Sequence, residues 1–147
     1  MSSIKHIKNI NFDKLELHNE VNIVGDIIVL DTKIGIRTGK DINKSPFVPL
    51  ARSTIKRKGN DKILKDTGQM MQVYLGPRAS KGRERADVNV PKGRDGTNRI
   101  VVGQIHNIGD GVPKRTWFGL GTRVRAKIKR ALKLRLKEKL RQRRQML

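Results

Sequence analysis

From Thr122 to Leu147 the chain has neither glycine nor proline, and nearly every residue is a good helix former. Within it, residues 123–144 hold 12 Lys and Arg against a single acid, Glu138, a net charge of +11. Such a stretch has one regular conformation open to it, an α-helix, yet it cannot bury an unbroken apolar face. On a helical wheel Val124, Ile128, Ala131, Leu132, Leu136 and Leu140 cover about half the circumference. Arg125, Lys129, Arg135, Lys139 and Arg143 fall in the same half. A helix interrupted in this way is expected to project and to find its energy between subunits.

The rest of the chain is less extreme. Over all 147 residues 34 basic side chains oppose 13 acidic ones, a net +21, while residues 1–50 carry seven basic and six acidic groups. Half of the excess therefore sits in the last sixth of the chain, and a protein so charged seeks polyanions or acidic protein surfaces. Hydrophobic residues make up 35% and aromatics 3%, which predicts a small core in a single domain. The absence of cysteine excludes disulfides and thiolate metal sites. No apolar run approaches the roughly 20 residues that span a bilayer, and Met1 to Lys8 has no apolar stretch of a secretory signal. A cytoplasm-like compartment, with no membrane partner, is the expectation.

Apolar residues are dense from Phe12 to Ile36, with Leu17, Val21, Val24, Ile27, Ile28, Leu30 and Ile34 at spacings of three and four. This favours a long helix capped at Asn11, with Asp13 in its first turn. The β-branched runs would also suit a strand, and Gly25 is the helix's weak point. Gly39 to Leu50 is a loop anchored by Phe47 and Leu50, and Ala51 to Lys58 a short basic helix. Gln69 to Leu75 is a strand or a helix-to-strand transition. Pro77 to Gly96 forms a basic hairpin arm with a weak strand at Ala86, Val88 and Val90. Arg99 to Ile108, rich in Ile and Val, is the best strand candidate. The fold expected is α+β: a long N-terminal helix, a small antiparallel sheet with a long basic hairpin arm, and a projecting basic C-terminal helix. The division is a body at 1–122, including the arm 77–98, and the helix 123–147.

Three stretches carry a resemblance when taken in order. The first is Gly39-Lys-Asp41-Ile-Asn-Lys-Ser-Pro46-Phe47-Val-Pro49-Leu50, continuing through Thr54 and Lys58. The second is Ile63-Leu-Lys-Asp-Thr67-Gly68-Gln-Met70, and the third Ile105-His106-Asn-Ile-Gly109 followed by Val112-Pro113-Lys-Arg115-Thr-Trp117-Phe118-Gly-Leu120. Together they resemble the virion-morphogenesis, or tail-completion, family of Mu-like contractile-tailed phages. The match spans residues 26–130. Ser45 stands where that family often has Gly, Thr116-Trp117 where it has Pro-Phe, and Arg123 where it has an acid. The resemblance implies an α+β subunit of a hexameric ring in the virion neck, assembled in the host cytoplasm. It also implies a head–tail connector and a tail terminator as neighbours, with DNA in the lumen.

The same residues make architectural sense. Pro46 and Pro49 fix an extended loop that lets Phe47 and Leu50 plug against a helix. Gly68 and Gly109 permit turns that a side chain would obstruct, and Pro113, Trp117 and Phe118 anchor the last helix.

No catalytic, cofactor or metal site is expected. His106 lacks a partner carboxylate or second ligand at suitable spacing and is expected to be structural. Gly35-Ile-Arg-Thr-Gly39-Lys40 has one residue too few for a phosphate loop, and Gly119-Leu-Gly121 lacks the third glycine of a dinucleotide fingerprint. Ser53-Thr54 has no local base and suits a helix cap. The candidates for partner or DNA contact are cations. In the arm they are Arg78, Lys81, Arg83 and Arg85, with Lys92 and Arg94 nearby. In the last helix they are Arg123, Arg125, Lys127, Lys129, Arg130 and Lys133, then Arg135, Lys137, Lys139, Arg141, Arg143 and Arg144. Whether they meet acidic protein rims or DNA stays open at this level. The alternative function is a basic ribosomal or chromatin-like nucleic-acid-binding protein. One Tyr and one Trp offer it little stacking surface, and no helix-turn-helix or zinc-finger pattern is present.

Overall fold

The computed structural model describes residues 16–65, 68–93, 96 and 98–145. The proposed cap at Asn11 and Asp13, Thr67 of the second motif, and Arg94 of the arm lie outside them. Four helices, α1 (His18–Thr38), α2 (Arg52–Lys58), α3 (Arg99–Ile108) and α4 (Thr122–Gln145), accompany one two-stranded antiparallel sheet of β1 (Tyr74–Leu75) and β2 (Val88–Asn89). Tyr74 pairs with Asn89 and Leu75 with Val88. The fold is α+β with a long N-terminal helix.

Helix α1 is the spine. Glu20 lies in its first turn, where a carboxylate suits the helix dipole, and Gly39 ends it in the left-handed conformation at φ 68°. Gly25, weak in helix propensity, has a packing reason. A Cβ there would lie 2.4 Å from Leu75 Cδ1, so the glycine lets β1 lie across the helix. Between the strands the hairpin folds back onto α1. Asn22 donates to the Ala79 carbonyl at 2.9 Å and accepts from the Ala79 N–H at 2.8 Å. Below the sheet, Ile36, Phe47, Leu64, Met70 and Trp117 form the buried core, with Ile63, Met71, Val90 and Phe118 packed against it.

Two expectations need correction. Arg99–Ile108 is helix α3, not a strand. Asn98 Oδ1 accepts from Ile100 N at 3.0 Å and caps its start. Gly109, at φ 85°, closes its end by donating to the Ile105 carbonyl. The side chains also fail to alternate: Ile100 and Val101 are both exposed, while Val102, Gly103 and His106 turn inward at helical spacing. Gly103 decides the matter, because the Trp117 ring lies 2.4 Å from where its Cβ would be and Trp117 Nε1 donates to its carbonyl at 2.8 Å. The indole needs that glycine facing it from a helix, and packing outweighs the β-propensity of the Ile and Val run. Gly103→Ala should lower stability by about 1–3 kcal/mol through overpacking. The check is the urea midpoint, with an unchanged denaturant slope.

The second correction concerns α4. It forms over the expected residues but does not stand off the body. It lies antiparallel along α1, with Val124 buried in its first turn. Leu132 and Leu136 overhang Leu17, Val21, Val24 and Ile28 across an apolar hollow of about 360 Å³. The contact is part apolar and part ionic, as the interrupted wheel requires, and α1 supplies the acids.

Candidate functional site

Glu20 and Asp31 are eleven residues apart in α1, close to three turns, so both carboxylates share one face about 16 Å apart. Both are buried. On α4, Arg123, Lys127, Arg135 and Lys139 recur at multiples of four on the facing side. Arg123 Nε donates to Asp31 Oδ2 at 2.8 Å, and its Nη2 to the Asp31 carbonyl at 3.0 Å. Its Nη1 reaches the carbonyls of Lys40 at 2.9 Å and Asp41 at 2.8 Å. Lys127 Nζ adds a 3.1 Å bond to Asp31 Oδ1. At the other end Lys139 Nζ donates to Glu20 Oε2 at 2.8 Å and to the Glu16 carbonyl. Arg135 Nε lies 3.7 Å from Glu20 Oε1, a charge contact too long for a hydrogen bond. Burial works to raise the pKa of Glu20. The bonds from Lys139 and from its own N–H, with the charges of Lys139 and Arg135, outweigh burial and hold the carboxyl below its ordinary value.

Gly35 completes this joint. A Cβ there would meet Arg123 Nη2 at 2.3 Å, so the glycine makes room for the guanidinium. Arg123 was expected to face a partner; it is buried, where it satisfies Asp31 and the Lys40 and Asp41 carbonyls of the loop that follows α1. Lys127, Arg135 and Lys139 are likewise committed to α1. The arm cations are also paired within the chain. Arg78 forms a two-pronged bond to Asp26 at 2.9 and 2.8 Å, Lys81 pairs with Glu16 at 3.0 Å, and Arg83 and Arg85 both face Asp87.

What remains open is the opposite side of α4. Arg125, Lys129, Lys133, Lys137 and Arg141 also recur every four residues, and all five are exposed. Among the described residues none of them forms an ion pair. Arg130 and Arg144 flank them, exposed as well. Each inward cation is paired with an α1 carboxylate, two to Asp31 and two to Glu20, and the outward ones are not.

The motif residues gather at a second place. Arg115, 4% exposed, donates from Nε to the Val48 carbonyl at 2.9 Å and from Nη2 to the Pro49 carbonyl at 3.2 Å. It thereby clamps the Pro46–Leu50 loop, whose Phe47 is buried in the core. Asp41 Oδ1 accepts from the N–H groups of Asn43 and Ser45, both at 2.8 Å, shaping the turn before Pro46. Asn43 Oδ1 in turn accepts from Thr122 N at 3.1 Å and caps α4. Asn107 holds the third motif in place. Its Oδ1 accepts from Trp117 N at 3.0 Å and Phe118 N at 3.3 Å, while its Nδ2 donates to the Phe118 carbonyl at 3.0 Å. Lys58 Nζ ties off the Lys62 carbonyl at 2.7 Å. Gly68, at φ 78°, opens the 3-10 turn Gln69–Gln72.

Leu50, Thr54, Lys58, Met70, His106 and Pro113 line a cavity of about 360 Å³ beside this node, with Arg115 at its wall. His106 is half-buried there, and its Nδ1 is buried without a hydrogen-bond partner. Burial first, then the charges of Arg115 and Lys58, push its pKa below the ordinary value, so it is neutral at pH 7. Among the described residues no cluster of His, Asp and Glu is arranged to hold a metal ion, and no helix is long and apolar enough to cross a membrane.

Compared with protein-family models, with curated proteins and with solved structures, the chain has no match.

The sequence reading missed Glu20, Asp31, Gly35 and Asn107. The eleven-residue interval between two acids in an apolar helix, opposite cations spaced by four, was the available signal for the first two. Gly35 and Asn107 act through tertiary contacts that no local pattern announces.

Proposed function

We propose that this chain is a structural, non-enzymatic subunit of a tailed-phage neck, forming a ring that completes the tail and joins it to the head around the DNA channel. One observation carries the reading. The segments that resemble the tail-completion family, far apart in sequence, meet in one node. There Arg115 of the third motif clamps the loop of the first, beside Met70 of the second, in the same core. The motif residues make backbone clamps, caps and core contacts, which is what a subunit under assembly load needs. The paired cations of α4 stiffen the same body, and the unpaired ones leave a charged surface for a neighbour.

The full chain, purified and imaged in negative stain, should form rings with a central opening wide enough for duplex DNA. Lysates lacking the protein should contain filled heads and separate tails. Normally joined virions in its complete absence would exclude the role. The outward cations of α4 also suit the second reading, a ribosomal or chromatin-like protein. That reading requires cosedimentation with ribosomal RNA or bulk DNA, with no ring.

A further inference from the structure

We infer that the outward stripe of α4, Arg125, Lys129, Lys133, Lys137 and Arg141, binds the phosphate backbone of double-stranded DNA without reading its sequence. The inference rests on the neck reading only for the source of the duplex.

The geometry argues in three steps. Residues four apart advance about 40° more than one full turn, so each step of the stripe turns it by about 40° around the helix. The inward stripe of Arg123, Lys127, Arg135 and Lys139 turns in step with it. One row follows α1 while the other stays on the far side for about 24 Å, from Arg125 to Arg141. The ion pairs of the inward row therefore fix the backbone that carries the outward row, a cationic track that winds by about 160° over its length on the side away from α1. A duplex presents one negative charge per about 1.7 Å of axis, so phosphates outnumber the cations along the track and each cation finds one whatever the sequence.

The composition of the track then selects among polyanions. Protein interfaces concentrate aromatic residues and Met in their centres and are depleted in Lys. This track is three Lys and two Arg, and α4 has no aromatic residue at all. Single strands are gripped by stacking on aromatic rings. Trp117 is buried in the core, and the exposed Tyr74 stands on β1 and not on α4, so neither gives the track a platform. Base reading requires side chains placed in a groove beside positioning contacts, whereas the stripe holds only long, mobile cations. Backbone contact with a duplex is the chemistry left.

The test is fluorescence anisotropy of the full chain with a mixed-sequence 30-base-pair duplex, titrated with salt. Five contacts give a slope of log K against log salt of about −4.5. In the variant Lys129→Gln, Lys133→Gln, Lys137→Gln the slope should fall to about −1.8 and affinity at 0.1 M salt by at least about 30-fold. Removing three exposed cations elsewhere, Lys44→Gln, Lys56→Gln, Lys62→Gln, should change the slope little, and a second duplex sequence should bind equally well. Circular dichroism checks that each variant is folded. Should the triple stripe variant unfold, Lys133→Gln alone must still reduce the slope by about one. Equal losses in both triple variants, an unchanged slope, or tighter binding of oligo-dT or an oligo-glutamate peptide overturns the assignment. Rings that form but ignore DNA sink the stripe and spare the neck reading. DNA binding without rings does the reverse.

Discussion

Replacing Arg123 by alanine should lower the stability of the chain by about 3–5 kcal/mol, the usual result of leaving one member of a buried ion pair without its partner. The side chains of Arg123 and Asp31 are 8% and 4% exposed, and the guanidinium satisfies the Lys40 and Asp41 carbonyls besides the carboxylate. After the substitution Asp31 keeps only Lys127, whose side chain is half exposed. The exposed pair of Arg78 and Asp26 serves as the internal contrast. Its side chains are 51% and 54% exposed, so Arg78→Ala should leave the stability almost unchanged by comparison. Urea unfolding followed by circular dichroism measures both. Arg123→Met combined with Asp31→Leu should recover part of the loss, because no carboxylate is then left buried and unpaired, while the Lys40 and Asp41 carbonyls still lack their guanidinium donor. An Arg123→Ala loss as small as that of Arg78→Ala would mean that the joint between α1 and α4 is solvated, contrary to its geometry.

What could be read in advance divides along a physical line. Local signals held wherever a residue acts on its own neighbours. The run without Gly or Pro gave α4, the three-and-four spacing gave α1, Gly39 ended α1, and the paired prolines gave the loop that seats Phe47. Reading failed where a distant group decides. Ile100, Val101 and Val102 look like strand until Trp117 demands a bare Gly103 on a helix face. The wheel of α4, taken alone, says that no unbroken apolar face can be buried, and that is true. It cannot say that α1 offers Glu20 and Asp31 in matching register, so that cations become the inward face. Arg115 was marked as a motif residue, but its hold on the Val48 and Pro49 carbonyls follows only from the fold. Of the partner surface, the outward stripe was within the cations singled out, but burial and pairing were needed to remove Arg123, Lys127, Arg135, Lys139 and the arm.

Ending the chain after Gly121 should abolish cooperative folding, although every motif of the body is retained. The missing helix covers the face of α1 formed by Leu17, Val21, Val24 and Ile28 and supplies Val124, which is 1% exposed. Fully burying an aliphatic side chain contributes about 1.5–3 kcal/mol, and leaving a buried charge unpaired costs about 3–5 kcal/mol. Losing Val124 together with the partners of Glu20 and Asp31 therefore removes an amount comparable with the whole stability of a small domain, about 5–15 kcal/mol. Removing the charge does not compensate. The truncated body carries less positive repulsion, but Glu20 and Asp31 lose the cations that offset their carboxylates in the folded chain. The near-UV circular dichroism of Trp117 is the readout, since that indole sits in the core beneath the α1 end. The truncated chain should show no native near-UV signal and no sigmoidal urea transition. A peptide of residues 122–145 added at low salt should restore part of the signal, as the α1 acids recruit it. Native near-UV dichroism in the truncated chain alone would make α4 an appended arm and return its full set of cations, Arg123 included, to the surface.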